Sequence, residues 1–540
     1  MATSRSEPAA AASLHKDGAG ERRLFRRLLV ANRGEIAVRI VRACRDLGIE
    51  TVAVYSDADE GALHVRLADQ AVRLGPPPPA ESYLRIDAIV DAAISTGAEA
   101  IHPGYGFLAE RAAFAAAVEG AGLAFVGPPS SAIAVLGDKL HARRLALGVG
   151  VDVVPGTLEA APVNRPDQVD AILVEAERVG FPLLVKAAAG GGGRGMRRVI
   201  ESRDLPAALA SGAHEAEAAF GDGSVYLERE IVPARHIEVQ LLGDAEGTVI
   251  ALGERDCSLQ RRHQKLVEEA PAPGLTPEER RHLHGMAVRL GAAAGLRNAA
   301  TAEFLRSPDG SFYFLEMNTR LQVEHGVTEL VTGVDIVADQ IRVAAGLPLA
   351  PSTVAAAGSA ADPGRHAIEV RLSAEDPGRE FAPTPGRVTR WRMPSGPGVR
   401  VDTGLEEGDL VPPEYDNLIA KVLVAAGSRS EAIRRLRRVL EEVEVAGVQT
   451  TLPFHRFVAR SEAFRAAELS TGWVDEHWDG PAQVRRAARI ALVAGVLEAL
   501  EQPTRSETPE TVRSSGAPPP GGPGSWASAS RRDAVDRWPR

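Results

Sequence analysis

From Leu183 to Met196 the chain reads LLVKAAAGGGGRGM: a short apolar run leading to Lys186, four consecutive glycines from Gly190 to Gly193, then Arg194, Gly195 and Met196. The apolar runs on either side, Leu183 to Val185 and Met196 to Ile200, are of strand length, so the glycines read as a mobile flap between two strands. No Gly-Lys-Ser/Thr follows to open a helix, which excludes a Walker-type loop. Successive glycine N–H groups can form a concave anion nest, and Lys186 and Arg194 add the charge that triphosphate oxygens need. Glycine runs also serve as plain linkers. The flanking strands and the residues downstream argue against that here.

Thr301 to Asn318 reads TAEFLRSPDGSFYFLEMN, with Ser307, Pro308, Asp309 and Gly310 as a type I turn. Pairing Arg306 with Ser311 sets Glu303 opposite Phe314 and places Glu303, Phe314, Glu316 and Asn318 on one face. Glu303 and Glu316 then become diagonal cross-strand neighbours, roughly 7 to 8 Å apart. Carboxylates that close repel unless a cation sits between them, and hard oxygen ligands without cysteine or histidine nearby suit magnesium or manganese. The plainer alternative is an edge hairpin whose glutamates face water.

The chain continues as NTRLQVEH, Asn318 to His325. An extended backbone puts Asn318, Arg320, Gln322 and Glu324 on one face and Leu321 and Val323 on the other. A guanidinium, an amide and a carboxylate in a row suit a small planar oxyanion, which Arg320 can bind bidentately and from which Glu324 can take a proton. A third polar concentration, Arg255 to Glu269, holds Arg261, Arg262, His263 and Lys265 and alone reads as a basic surface patch. Glu268 and Glu269 adjoin it and no aromatic residues interleave for base stacking, which argues against nucleic acid.

Taken together these blocks resemble the biotin carboxylases of the ATP-grasp superfamily. The resemblance rests on ANRGEIA from Ala31, HPGYGFL from His102, LGDK ending at Lys139, the glycine run, RHIEVQ from Arg235, ERDCSLQRRHQKLVEEAPAP, EMNTRLQVEH and RLSAEDP from Arg371, in family order across Arg26 to Trp473. The glycine loop is shared widely among ATP-grasp enzymes; RRHQK together with NTRLQVEH is far more specific.

The resemblance implies an α/β multidomain fold: an N-terminal βαβ biotin carboxylase domain, an ATP-grasp domain with a mobile lid, and a β-rich C-terminal domain. It implies that Lys139, Lys186, Gly191, Gly192, Gly193, Met196, Glu228, Ile231, His236, Gln260 and His263 hold ATP. Glu303, Glu316 and Asn318 would bind two magnesium or manganese ions. Lys265, Arg320, Gln322, Val323 and Glu324 would surround bicarbonate, with Glu324 as base. Arg371 would stabilise the biotin enolate, and Tyr105 would lie near the biotin ring. In this family bicarbonate attacks the γ-phosphate to give carboxyphosphate, which collapses to carbon dioxide and phosphate; phosphate deprotonates the ureido nitrogen, which captures carbon dioxide. Such a site must hold an anion against another anion and keep water out, and it needs cations and a closing flap for both.

Five positions depart from the family pattern: Gly326 where proline usually follows the Glu-His pair, and Ser373, Arg111, Asp152 and His141. None removes a ligand or base, although Gly326 is expected to loosen the loop carrying Glu324. Two other readings share part of the pattern: a carbamoyl-phosphate-type enzyme, which has no need of Tyr105 and Arg371, and an inactive ATP-binding scaffold protein.

At 540 residues the chain exceeds one core, and its net charge of −10 argues against a polyanion partner. Cys44 and Cys257 alone make no disulfide framework, no run of 18 apolar residues exists, and the first two dozen residues lack a signal-peptide core, so a cytoplasmic protein is expected. Arg27 to Ser56 reads strand, helix, strand without GxGxxG, which disfavours a dinucleotide site. The expected divisions are a disordered segment 1–25, an N-terminal domain 26–138, the ATP-grasp domain 139–348, a linker 349–365, a C-terminal domain 366–475 and an extension 476–540. In the extension, Gln483 to Glu501 has helical periodicity, with Val484, Ala487, Ala488, Ala491, Val496 and Leu497 expected to pack on the C-terminal domain or else to dock a partner; SSGAPPPGGPGS is expected to be disordered. None of the five methionines precedes a lysine, as the resemblance would require of a self-biotinylated chain. The expected partners are therefore a separate biotin carboxyl carrier protein, a second copy in a homodimer, and the carboxyltransferase subunit.

Overall fold

A computed structural model describes residues 23–163, 166–188 and 196–501. The N-terminal unit is a five-stranded parallel sheet in the order Gln70–Gly75, Glu50–Ser56, Arg27–Val30, Ala100–His102, Ala124–Phe125. Between its first two strands in sequence lies the helix Gly34–Asp46, which buries Ile36, Ala37, Ile40, Val41 and Cys44 at helical spacing. This is the strand–helix–strand opening expected from the sequence. The order of strands reverses beside Arg27–Val30, and the loops leaving it and Ala100–His102 meet there: Asn32 donates to the carbonyls of Pro103 (2.7 Å) and Tyr105 (2.8 Å). Ligands of doubly wound sheets bind at such reversal points.

The lid is a small antiparallel sheet of Arg197–Val199, Leu183–Ala187 and Val225–Arg229, with the helices Pro166–Val179 and Leu205–Phe220. Val185 pairs with Arg197 and Leu183 with Val199, so the glycine run joins two antiparallel neighbours, as the sequence implies. Gly191, Gly192 and Gly193 themselves lie outside the described residues, as do most of segment 1–25 and the Pro/Gly-rich stretch.

Beneath the lid runs an eight-stranded antiparallel sheet: Phe312–Asn318, Asn298–Arg306, Arg235–Gly243, Val249–Arg261, Gln264–Ala270, His366–Ser373, Leu418–Ala426, Val399–Thr403. The sequence suggests an ATP-grasp domain and a C-terminal one joined by a linker. One sheet runs through both regions, Gln264–Ala270 pairing directly with His366–Ser373, and the segment between them contains the helix Pro351–Ser359. Alanine-rich composition there favours helix over coil. The C-terminal region is also more helical than expected, with Arg429–Glu442 and Leu452–Arg460 on its strands.

The extension forms the helix Gly480–Glu501. Only its start is anchored: the Trp478 indole donates to the Pro377 carbonyl at 2.9 Å and Val484 lies over Gly378. Farther along, Val496 and Leu497 are half or more exposed, so among the described residues this face packs on the C-terminal domain at Val484 and not at its far end. No helix among the described residues is long and apolar enough to cross a membrane.

Candidate active site

The carboxylate hairpin forms, with a different register. Gly310 (φ +91°) follows the type I turn in the left-handed region, adding a residue to the loop, so Ser307 N–H bonds to the Ser311 carbonyl (2.9 Å) and Arg306 pairs with Phe312. A bulge between Phe304 and Glu303 then sets Glu303 directly opposite Glu316, closer than the diagonal relation expected. Glu303 is surrounded by donors: Asn318 Nδ2 at 2.8 Å, Gln322 Nε2 at 2.7 Å and Lys265 Nζ at 2.9 Å reach its Oε1, and His236 Nε2 lies 3.1 Å from its Oε2. Burial would raise its pKa, but Lys265 and His236 hold it below the usual carboxylate range. Glu316 has no hydrogen bond or ion pair of its own among the described residues, and burial, then Glu303, raises it. A carboxylate with no hydrogen-bond partner directly opposite a second one fits a hard divalent cation. The ligand atoms of His236, Glu238 and Glu303 also gather within 4.8 Å of one another, but Lys265 already supplies positive charge there.

Lys265 is the hub. Its ammonium contacts Glu238 Oε2 at 2.5 Å, Glu303 Oε1 at 2.9 Å and Glu324 Oε1 at 2.7 Å. Glu324 does not continue an extended strand, as the alternation implies. The strand ends at Asn318, and Glu324 stands just ahead of the helix His325–Thr332, with backbone φ −81° and ψ +10°. Asn318 and Gln322 still converge, both on Glu303. The other Glu324 oxygen accepts from Arg371 Nη2 at 2.9 Å, while Arg371 Nε donates to Glu268 at 2.6 Å. Burial would raise the Glu324 carboxyl, but Lys265, Arg371 and Arg255 outweigh it and hold it well below the usual range. Glu324 is 1% exposed. A Cβ at Gly326 would come within 2.6 Å of a Leu423 methyl. Arg320 sits one step away, donating to Glu110 at 2.9 Å and to Asn318 Oδ1 at 3.1 Å. The Val323 carbonyl accepts from Lys421.

On the lid side, Lys186 projects from the middle strand and pairs with Glu228, which also accepts from Arg143 at 2.6 Å. Lys139 opens the helix Lys139–Gly148, capped by Asp138, and acts electrostatically on Glu316 together with Lys186. Arg262 and His263, read alone as surface charges, form the two-residue turn of a hairpin with positive φ at both. His263 is lowered by burial and then by Lys186 and His236. Gln260 is buried across the hairpin from Lys265. Ile231 and Met196 are half-buried beside the lid strands.

Tyr105 reaches this centre from the reversal point of the N-terminal sheet. Its hydroxyl donates to Glu35, Glu35 lies 3.2 Å from Lys421 Nζ, and Lys421 donates to the Val323 carbonyl at 2.9 Å. Sequence reasoning missed Lys421, Glu35, Glu238 and Arg255. Arg255 is fully buried and ties Glu238 (2.5 Å), Gln240 (2.8 Å), Thr328 (2.9 Å) and Gln322 (2.9 Å) together.

Family models match three consecutive stretches: biotin carboxylase, N-terminal domain, over 24–133; carbamoyl-phosphate synthase L chain, ATP binding domain, over 138–352; and biotin carboxylase C-terminal domain over 369–476. The chain is 48% identical to biotin carboxylase of Pseudomonas aeruginosa over 443 residues, 82% of this chain and 96% of that one. It is 49% identical to a pyruvate carboxylase component of Methanothermobacter thermautotrophicus over 469 residues, 86% of this chain and 93% of that one. Among solved structures, a biotin carboxylase–βγ-ATP complex from Campylobacter jejuni superimposes with TM-score 0.80 at 41% identity, covering 84% of this chain and 99% of its own. The biotin carboxylase domain dimer of Hydrogenobacter thermophilus 2-oxoglutarate carboxylase, solved with MgADP, ADP and bicarbonate, gives 0.79 at 44%, covering 84% and 98%. The lid, the acidic hairpin and the lysines between them thus define an ATP-dependent ligase with an ATP-grasp domain. The chain belongs to the biotin carboxylase family.

Proposed function

We propose that this chain carboxylates the ureido nitrogen of biotin carried on a separate protein, using ATP and bicarbonate, as the first half-reaction of an acetyl- or acyl-CoA carboxylase. The observation that carries the reading is the row Lys265–Glu324–Arg371, with ammonium, carboxylate and guanidinium in direct contact between the acidic hairpin and the Tyr105 loop. Lys139, Lys186, His236, Gln260, His263, Glu228, Ile231 and Met196 surround the nucleotide. Glu303, Glu316 and Asn318 would hold two magnesium or manganese ions, which screen phosphate charge and polarise the γ-phosphate. Lys265, Arg320, Gln322, Val323 and Glu324 receive bicarbonate.

Lys265 and Arg371 flank Glu324 and hold its carboxyl well below the usual range, which favours the carboxylate. An anion seated between those cations takes a share of their charge, so the Glu324 carboxylate becomes more basic when bicarbonate is bound. Bicarbonate loses its proton to Glu324 and attacks the γ-phosphate, giving ADP and carboxyphosphate. Collapse to carbon dioxide and phosphate leaves phosphate to take the ureido proton, while Arg371 stabilises the enolate oxygen and Tyr105 borders the ring.

The units 26–138, 139–348 and 366–475 serve as biotin carboxylase N-terminal, ATP-grasp and C-terminal domains of a cytoplasmic homodimer working with a carrier and a carboxyltransferase. Trapping label from bicarbonate on a biotinylated carrier tests the reading. Label appearing only with ATP and the carrier supports it; label in carbamoyl phosphate on adding ammonia, with none on biotin, contradicts it.

A further inference from the structure

Glu268 and Glu369 face each other directly across the antiparallel strands Gln264–Ala270 and His366–Ser373, and both are 0% exposed. Directly opposed side chains on such strands have Cβ atoms about 4.5 to 5.5 Å apart. Glu268 Oε2 and both oxygens of Glu369 have no hydrogen-bond partner among the described residues. Two full anions with so many unpartnered oxygens are costly in a dry interior, whereas one proton between them makes a hydrogen bond and removes a charge.

The surroundings do not supply enough positive charge to avoid this. Arg371 lies two residues along the strand from Glu369; Lys421, opposite Arg371 on the next strand, acts on Glu369 electrostatically. Lys265 and Glu324 lie near Glu268; from above, the helix His325–Thr332 brings His325 and, at Gly326, a close approach to Glu369 and Arg400. Lys421 is already shared by Glu35 and Asp402, and Arg400 by Asp402 and Glu329. Burial, foremost, pushes the Glu268 carboxyl up to about 7 and Glu369 well above its ordinary value.

The pair sits behind Arg371. That guanidinium spends Nε on Glu268 (2.6 Å) and Nη2 on Glu324 (2.9 Å), while Nη1 makes no hydrogen bond among the described residues. Pinning Nε fixes the plane of the fork and decides where the free Nη1 edge points.

We propose that Glu268 is the positioning residue of Arg371, and that Glu369 shares one proton with it so that the pair carries a single negative charge. This rests on Arg371 being the group that meets the biotin carbonyl oxygen. The proton explains how two acids are tolerated side by side; the remaining charge orients the guanidinium.

Glu268→Gln, assayed in the full chain with free biotin, keeps an acceptor for Nε but removes the charge. The kcat for biotin carboxylation is expected to fall about 10- to 100-fold, as for other outer partners of a reacting group, with the KM for ATP and the biotin-independent, bicarbonate-dependent ATP cleavage unchanged. Arg371→Met is the control. If it abolishes biotin carboxylation while Glu268→Gln does not change it, the positioning role is overturned alone. If Arg371→Met itself stays active, the reading on which it rests falls. For the shared proton, Glu369→Gln should melt at the wild-type temperature and lose one carboxylic-acid carbonyl band from the infrared spectrum at pH 8. A retained band, or a markedly lowered melting temperature, would overturn it.

Discussion

Lys265, on a strand of the central sheet, holds Glu324 at 2.7 Å, and the same ammonium also touches Glu238 and Glu303. The side chain that keeps the proposed base ionised is therefore the one that links it to the acidic hairpin. Anything that binds at Lys265 alters Glu324.

Glu324→Gln preserves shape and removes the base. Turnover should fall roughly 10² to 10⁴-fold, the usual loss for general base catalysis, with nucleotide affinity little changed. Rates measured at saturating ATP and bicarbonate check this. Full activity in the variant would mean that the bicarbonate proton leaves by another route.

Lys186→Ala acts on a different substrate. Lys186 is the lid lysine paired with Glu228, so its loss should raise the KM for ATP, leaving the KM for bicarbonate near wild type. A calorimetric titration with a non-hydrolysable nucleotide separates binding from turnover.

Arg255→Met should destabilise rather than merely slow the enzyme. The residue is buried and neutralises Glu238, and removal of one partner from a buried ion pair costs about 3 to 5 kcal/mol. Chemical denaturation of the variant should show a lowered midpoint; an unchanged midpoint would mean that Lys265 alone suffices for Glu238.

His64 gives a pH signature. It is fully buried, and burial lowers it to about 4, against about 6.5 in an unfolded chain. The unfolded state then binds the proton first, so the stabilisation present above pH 6.5 is lost as pH falls from there towards 4. Relative to His64→Gln, the wild type should lose about 2 kcal/mol of stability between pH 7 and 5 and little more below 4. Paired unfolding curves at several pH values test it; a constant difference would contradict it.

What could be read in the sequence was local. The glycine run between antiparallel strands, the N-terminal strand–helix–strand and the Glu303/Glu316 hairpin all follow from alternation and turn chemistry within some twenty residues. The hairpin register missed by one because Gly310 adds a residue to the loop, and the polar row after Asn318 converges by turning into a helix rather than by staying extended. The partners Glu238, Arg255, Glu35 and Lys421 were missed because their contacts join strands whose adjacency no alternation reveals. A signal was present all the same. Lys421 in LIAKVLVAA is a lone charge in a strand-length apolar run, and a charge there must meet its opposite in the core. The continuity of the central sheet through Gln264–Ala270 and His366–Ser373 was hidden in the same way, since those strands are separated by nearly a hundred residues.

The central claim is that the Lys265–Glu324–Arg371 row couples ATP cleavage to biotin. Its most direct test is ADP release by the purified full chain with MgATP, with bicarbonate and free biotin each added or withheld. The account predicts that biotin raises ADP release only when bicarbonate is present, with carboxybiotin formed in step. ADP release at the same rate without biotin, or stimulation by biotin in the absence of bicarbonate, would contradict it.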